Sequence, residues 1–156
     1  MKLLTPAIAS VLAFIPVFGM LTSDPQQNPA SVQPSQRSPQ GVRLVADVSD
    51  RALYLLKPAG TQQAYPAGFG PTTPFGQFQI TSKIPNPTYQ NPQTGEISKG
   101  VLGEWFLGFR NAPEGYYGIH EGDIHQPSNG CIRLNEFDLR AIAAQVTLGT
   151  PIEIRP

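Results

Sequence analysis

The sequence predicts a mainly β fold, a sandwich or barrel, that carries one short helix. Seventeen prolines and fifteen glycines punctuate the 156 residues and leave room for few long helices. Between them lie short runs in which apolar and polar residues alternate, as they do in half-buried strands. Turn-forming residues separate these runs at intervals that are typical of all-β domains.

The first strands are predicted to form a hairpin. Residues 42–48 alternate between an apolar face and a face that carries Arg43 and Asp47, which indicates a half-buried strand. A Ser-Asp-Arg turn leads to the return strand at residues 52–56. A second turn and a third strand are predicted within residues 58–67.

The middle of the chain mixes loops with aromatic strands. Residues 68–80 predict a loop rich in glycine and proline that enters a strand. Residues 84–95 contain three prolines and predict a long irregular excursion, either a lid or cleft wall or a loop without a role. Two further strands are predicted at residues 105–109 and 116–119, and His120 follows the second directly.

One helix is predicted near the C-terminus. Asn135 is a favourable N-cap for a helix of about ten residues that begins at Glu136. Residues 151–154 then predict a closing strand. The apolar stripe of this helix is assigned to Phe137, Ala141, Ala144 and Leu148.

The N-terminus divides into two segments that precede a domain at residues 42–156. Residues 1–23 contain Lys2 and then no charge, which predicts an export signal or an uncleaved membrane anchor, with a buried core helix as the alternative. Residues 24–41 are dominated by Pro, Gln and Ser and predict a linker or a remnant of signal processing.

Charge and cysteine content exclude several classes of function. Eleven basic residues balance eleven acidic ones, so we expect no phosphate-binding surface and no nucleic-acid partner. The single cysteine, Cys131, allows neither an internal disulfide nor a multi-cysteine zinc site. Its thiol is therefore either a buried apolar group or a reactive one.

Residues 117–134 hold both histidines and the cysteine within a loop rich in Gly, Pro, Ser and Asn. A thiol beside an imidazole is the minimal apparatus of nucleophilic catalysis. We expect Cys131 near a helix N-terminus that favours a thiolate, with positive charge from Arg133. The N–H groups of Gly130 and Cys131 are candidate oxyanion donors.

His120 is the favoured base because a strand end holds it rigidly, whereas His125 lies in mid-loop. A metal site made by His120, His125 and Cys131, with Asp123 or Glu121, is the competing interpretation, although its spacing matches no common zinc pattern. A papain-like protease has the opposite order of cysteine and histidine.

Three segments together carry a resemblance to a known family. Ile119-His120 is followed by Ser-Asn-Gly-Cys-Ile-Arg-Leu at residues 128–134, and a Thr-Pro-x-Gly-x-Phe strand lies at residues 73–78. With the opening hairpin and the last strand, this pattern resembles the L,D-transpeptidase (YkuD) catalytic domain of bacterial cell-wall enzymes. The resemblance spans residues 42–154.

The resemblance implies a mainly β fold and an acyl transfer to and from a cysteine, without a cofactor. The expected partners are the donor and acceptor stem peptides of peptidoglycan, and a membrane only through an uncleaved N-terminal segment. The product would be a 3-3 cross-link, and carbapenem acylation of the cysteine is expected. The roles that it implies are nucleophile for Cys131, base for His120, oxyanion donors for Gly130 and Cys131, and substrate binding for Ser128, Asn129, Arg133 and Tyr117.

The chain departs from the family pattern at three places. Asn129 replaces a histidine, Glu121 replaces the usual Gly or Ser, and the loop between His120 and Cys131 is short. The carbonyl of Glu121 can still orient the imidazole, and its carboxylate, if near, would raise the pKa of His120. Two alternatives stay open: an L,D-carboxypeptidase or other hydrolase, and a catalytically silent wall-binding module.

Overall fold

The computed structural model describes residues 41–91, 93–113 and 115–156, so the predictions for residues 1–40 lie outside the described residues. The described residues form eleven β-strands and one α-helix, which confirms the predicted fold class. The strands are Arg43–Asp47 (β1), Ala52–Leu56 (β2), Gln62–Pro66 (β3), Gly76–Gln79 (β4), Ser82–Pro85 (β5), Thr88–Gln90 (β6), Ile97–Lys99 (β7), Trp105–Ala112 (β8), Gly115–Glu121 (β9), Ile132–Leu134 (β10) and Pro151–Arg155 (β11), and the helix is Glu136–Ala143 (α1).

Two sheets contribute to one hydrophobic core. The strand order is β3-β2-β1-β11-β4 in the five-stranded sheet and β10-β9-β8-β5 in the four-stranded sheet, while β6 and β7 pair with each other. Two neighbouring pairs are parallel, β1 with β11 and β9 with β10. The core draws fully buried side chains from both sheets and from α1, among them Leu44, Leu53, Leu107, Ile119, Ile132, Ile142 and Ile152.

The opening hairpin forms as predicted, with β1 antiparallel to β2 and β2 antiparallel to β3. The face that was expected to be exposed to solvent is only partly exposed, because Asp47 is buried. The carboxylate of Asp47 accepts hydrogen bonds from the Ser49 hydroxyl, the Asp50 N–H and Arg155 Nε, at 2.8 to 3.0 Å. These donors satisfy a group that would otherwise be costly to bury.

The segment predicted as an irregular excursion, residues 84–95, contains regular structure, so that prediction is wrong. Thr88–Gln90 pairs antiparallel with Ile97–Lys99. The Asn91 side chain turns the chain between them by accepting hydrogen bonds from the N–H groups of Gln93 and Thr94, at 2.9 and 3.3 Å. Prolines are compatible with this arrangement because Pro85 ends an edge strand.

Helix α1 begins as predicted, but its buried stripe is a different one. The Asn135 side chain accepts a hydrogen bond from the Asp138 N–H, and the helix runs for eight residues. The predicted stripe is wrong, because Phe137 is 74% exposed and Leu148 is also exposed. A second set of aliphatic side chains with helical spacing faces the core instead: Leu139, Ile142, Ala143 and Val146.

Candidate active site

The parallel pairing of β9 with β10 brings the strand that holds His120 next to the strand that directly follows Cys131. Ile132 pairs with Ile119 and Arg133 pairs with His120. Ile119 and Ile132 are fully buried and point into the core. Because side chains alternate along strands, His120 points to the other face, and the thiol of Cys131, directly before β10, lies against the main chain of β9 at the Tyr116 carbonyl. We call the face to which His120 points the site face.

The imidazole of His120 is held by a main-chain acceptor. His120 Nδ1 lies 2.7 Å from the carbonyl oxygen of Glu121. Since a carbonyl only accepts, Nδ1 carries the proton and Nε2 of the neutral ring has a free lone pair. The prediction that this carbonyl orients the ring is confirmed.

His120 is buried, with 7% of its surface exposed. This burial, chiefly, lowers the pKa of His120 below its ordinary value, and the charge of Arg133 acts in the same direction. The hydrogen bond to Glu121 opposes them. A neutral imidazole is the form that can accept a proton, so the environment suits a base.

The Glu121 carboxylate does not act on His120, so the condition under which a rise in the pKa of His120 was expected is not met. The Glu121 side chain packs against Gly103, in the space that a Cβ on that glycine would need. Successive side chains on a strand point to opposite faces, which separates this carboxylate from the imidazole before it.

Cys131 lies one residue before β10, and three strand residues separate it from the N-cap of α1. The prediction that a helix N-terminus favours its thiolate is therefore wrong. Burial raises the pKa of the Cys131 thiol, although the Gly118 N–H and the charge of Arg133 both lower it. The thiol is directed at the Tyr116 carbonyl oxygen, 3.7 Å from Sγ. This environment favours the protonated thiol over the thiolate.

Ser128 fixes the turn that presents the thiol. Ser128 is 4% exposed, and its hydroxyl donates to the Cys131 carbonyl oxygen at 2.6 Å. The Ser128 hydroxyl oxygen in turn accepts a hydrogen bond from the Gly130 N–H at 3.2 Å. Gly130 has φ +104° and packs against the ring of Tyr117, so a side chain at this position would be strained and crowded. The oxyanion role of Gly130 stays a prediction, and it requires the Gly130 N–H to leave Ser128.

Two of the predicted substrate-binding residues serve the framework of the site. Tyr117 is 8% exposed, belongs to the core, and lies with its ring centroid 5.2 Å from Cζ of Arg110. Arg133 Nη1 donates to the carbonyl oxygens of Gln126 and Pro127 at 3.1 and 3.2 Å. A direct contact of either residue with a substrate stays a prediction.

The loop between His120 and Cys131 is exposed where it carries Asn129 and His125. The His125 N–H donates to Asp123 Oδ1 at 2.9 Å, within a turn and away from the strands. Arg51 donates to the Ile124 carbonyl oxygen at 2.5 Å. The Arg51 side chain thus ties the loop to the body of the protein, and His125 remains exposed.

The competing metal interpretation finds no support in the side-chain positions. Among residues 41–91, 93–113 and 115–156, no group of three His, Cys, Asp or Glu side chains is placed to hold an ion.

In the same ranges, none of the helical structure is long and apolar enough to cross a membrane.

Sequence reasoning missed Phe106, which lies on the site face beside His120. The two ring centroids are 6.3 Å apart with 22° between the planes. The signal that could have found this contact is Gly118, a glycine inside an aromatic strand, because such glycines mark close approach by a neighbour. A Cβ on Gly118 would lie 2.5 Å from Cζ of Phe106.

Comparison with known proteins agrees with this geometry. The model of the YkuD family, described as the L,D-transpeptidase catalytic domain, matches residues 41–154. The chain therefore belongs to the L,D-transpeptidase (YkuD) family, as the sequence resemblance predicts.

A putative L,D-transpeptidase YkuD of Bacillus licheniformis is 28% identical over 135 residues, which cover 79% of this chain and 72% of the relative. The crystal structure of L,D-transpeptidase 1 of Mycobacterium tuberculosis is 23% identical with a TM-score of 0.57, and the match covers 75% of this chain and 62% of that one. L,D-transpeptidase 3 of the same organism, in complex with a faropenem-derived adduct, is 17% identical with a TM-score of 0.60, and the match covers 75% and 61%. The chain thus spans about three fifths of these two solved structures.

Proposed function

We propose that this protein is a peptidoglycan L,D-transpeptidase that forms a thioester on Cys131 with a tetrapeptide stem and transfers the acyl group to an amine. The observation that carries the proposal is the parallel pairing of β9, which holds His120, with β10, which directly follows Cys131. The Glu121 carbonyl leaves Nε2 of His120 available as a base. Membership in the family supports the reaction class.

The first half-reaction starts from an uncharged pair. His120 Nε2 takes the thiol proton as Sγ attacks the carbonyl carbon of the third stem residue, and the C–S bond forms. The tetrahedral intermediate carries a negative oxygen, for which the N–H groups of Cys131 and, once it leaves Ser128, Gly130 are the proposed donors. The imidazolium then returns its proton to the leaving amine, and D-alanine departs.

The second half-reaction reverses these roles. An amine of a neighbouring stem attacks the thioester, and His120 Nε2 accepts the proton that the amine loses. The C–S bond breaks, the proton returns to sulfur, and a 3-3 cross-link is released. If water replaces the amine, the same residues give carboxypeptidase action.

The proposed location is outside the cytoplasm, in the periplasm or cell wall, because the donor and acceptor stems lie there. Residues 1–23 carry this part of the proposal, as an export signal or a membrane anchor. We propose that the reaction uses no cofactor and that nucleic acid is not a partner.

Intact-mass measurement after incubation with faropenem or a carbapenem tests the proposal. We expect a single covalent adduct on the wild type and none on Cys131→Ala. With purified muropeptides, wild-type protein should release D-alanine and form stem dimers. No adduct on the wild type, or an equal adduct on Cys131→Ala, would reject the enzyme proposal, while D-alanine release without dimers would replace it with the carboxypeptidase alternative.

A further inference from the structure

The ring of Phe106 sits on two glycines that leave room for it. On β9, a Cβ at Gly118 would lie 2.5 Å from Cζ and 2.7 Å from Cε2 of Phe106. On β8, a Cβ at Gly108 would lie 3.2 Å from Cε1 of the same ring. Gly108 and Gly118 are cross-strand partners in the antiparallel ladder. The ring therefore occupies a space that the side chain of any other residue at position 118 would fill.

The same register brings Phe106 beside His120. Leu107 pairs with Ile119, so the preceding residue of β8 lies opposite the following residue of β9. The two rings are close to parallel, with centroids 6.3 Å apart, within the range of favourable aromatic pairs. Phe106 is itself buried. Its apolar ring covers one side of the imidazole, while the Glu121 carbonyl holds Nδ1.

We propose that Phe106 is a positioning residue of the reaction: its seated ring fixes the His120 imidazole against the Glu121 carbonyl and shields it from water. The proposal rests on His120 being the base of the proposed function. By excluding water from the ring, Phe106 favours the neutral imidazole, in agreement with the burial that lowers the pKa of His120.

The charged and titratable groups around His120 are few. From β10, Arg133 lowers the pKa of His120, and Cys131 directly precedes this strand. On β9, the Glu121 carboxylate packs against Gly103. From β8, the side chain that stacks on the imidazole is Phe106, which does not titrate. Removing its shielding should therefore be visible in the titration of His120.

The experiment is a pH titration of the two histidine side chains by NMR, in full-length protein with ¹³C-labelled histidine. A His125→Gln variant assigns the two signals. We expect Phe106→Leu to raise the titration midpoint of His120 by about half to one pH unit. Phe109→Leu is the matched control, because Phe109 is buried on the same strand, belongs to the core and packs against Phe78 in a tilted pair with ring centroids 5.6 Å apart. It should leave the midpoint unchanged.

A midpoint in Phe106→Leu equal to that of the wild type, or an equal rise in Phe109→Leu, would overturn the proposal. If Phe106→Leu does not fold, Phe106→Met replaces it, with the same expected direction. In a second readout, the acid limb of the acylation profile should move to higher pH by the same amount, because acylation requires neutral His120. The titration needs no activity, so a wild type without an adduct would reject the proposed function while the midpoint still decides the shielding role of Phe106.

Discussion

The two faces of the four-stranded sheet are built from the same strands but held in different ways. On the core face, Leu107, Ile119 and Ile132 are fully buried among other aliphatic side chains, and packing alone fixes them. His120 on the site face and Cys131 directly before β10 depend instead on individual partners, the Glu121 carbonyl and Ser128. Substitutions on the core face should therefore change stability, whereas substitutions on the site face should change the reaction.

The largest effect is expected for His120→Gln. The variant keeps a polar side chain of similar size but has no base, so acylation of Cys131 should slow by about 10²- to 10⁴-fold. Stopped-flow or mass kinetics with faropenem measure this rate, and thermal unfolding measures stability. His125→Gln is the control and should react like the wild type. Equal rates in the two variants would assign the base elsewhere.

Leu107→Ala tests the core face, because Leu107 pairs with Ile119, the residue directly before His120. Removing a fully buried leucine should lower the free energy of unfolding by about 2–5 kcal/mol, as measured by urea denaturation. The acylation rate of the folded fraction should stay within about twofold of the wild type, because no site residue loses a partner. A rate loss as large as that of His120→Gln would mean that the two faces are not independent.

A smaller and mixed effect is expected for Ser128→Ala. The substitution removes the donor to the Cys131 carbonyl and the acceptor of the Gly130 N–H. We expect a stability loss of about 1–3 kcal/mol and acylation slowed by about tenfold. Thr147→Val is the matched control, because the Thr147 hydroxyl is buried without a hydrogen-bond partner in the part of the chain that the structure describes. If both variants behave alike, Ser128 has no special role.

Local patterns in the sequence predicted the opening hairpin and the N-cap at Asn135, and they singled out His120 and Cys131 as candidate catalytic residues. These follow from alternation over a few positions or from the rarity of a residue type. The stripe of α1 was wrong because two sets of apolar residues share the helical period, and only the tertiary contacts select Leu139 and Ile142.

What the sequence could not predict depends on pairing between distant strands. The strand that separates Cys131 from α1 exists because it pairs with β9 and because Gly68 and Arg133 exchange main-chain hydrogen bonds at 2.8 and 2.9 Å. The contact of Phe106 with His120 depends on the register of β8 against β9, which shifts between Gly108 and Arg110. No periodicity within one segment reports such a register.

The central claim is that the Cys131 thiol is protonated and the His120 imidazole is neutral before a substrate arrives. The pH dependence of Cys131 alkylation by iodoacetamide, followed by intact mass, tests it most directly. Because burial raises the pKa of the thiol, the rate should be low near neutral pH and rise with a midpoint above the ordinary value of about 8.5. A rate plateau between about pH 5 and 7, which a thiolate paired with imidazolium would give, would contradict the claim.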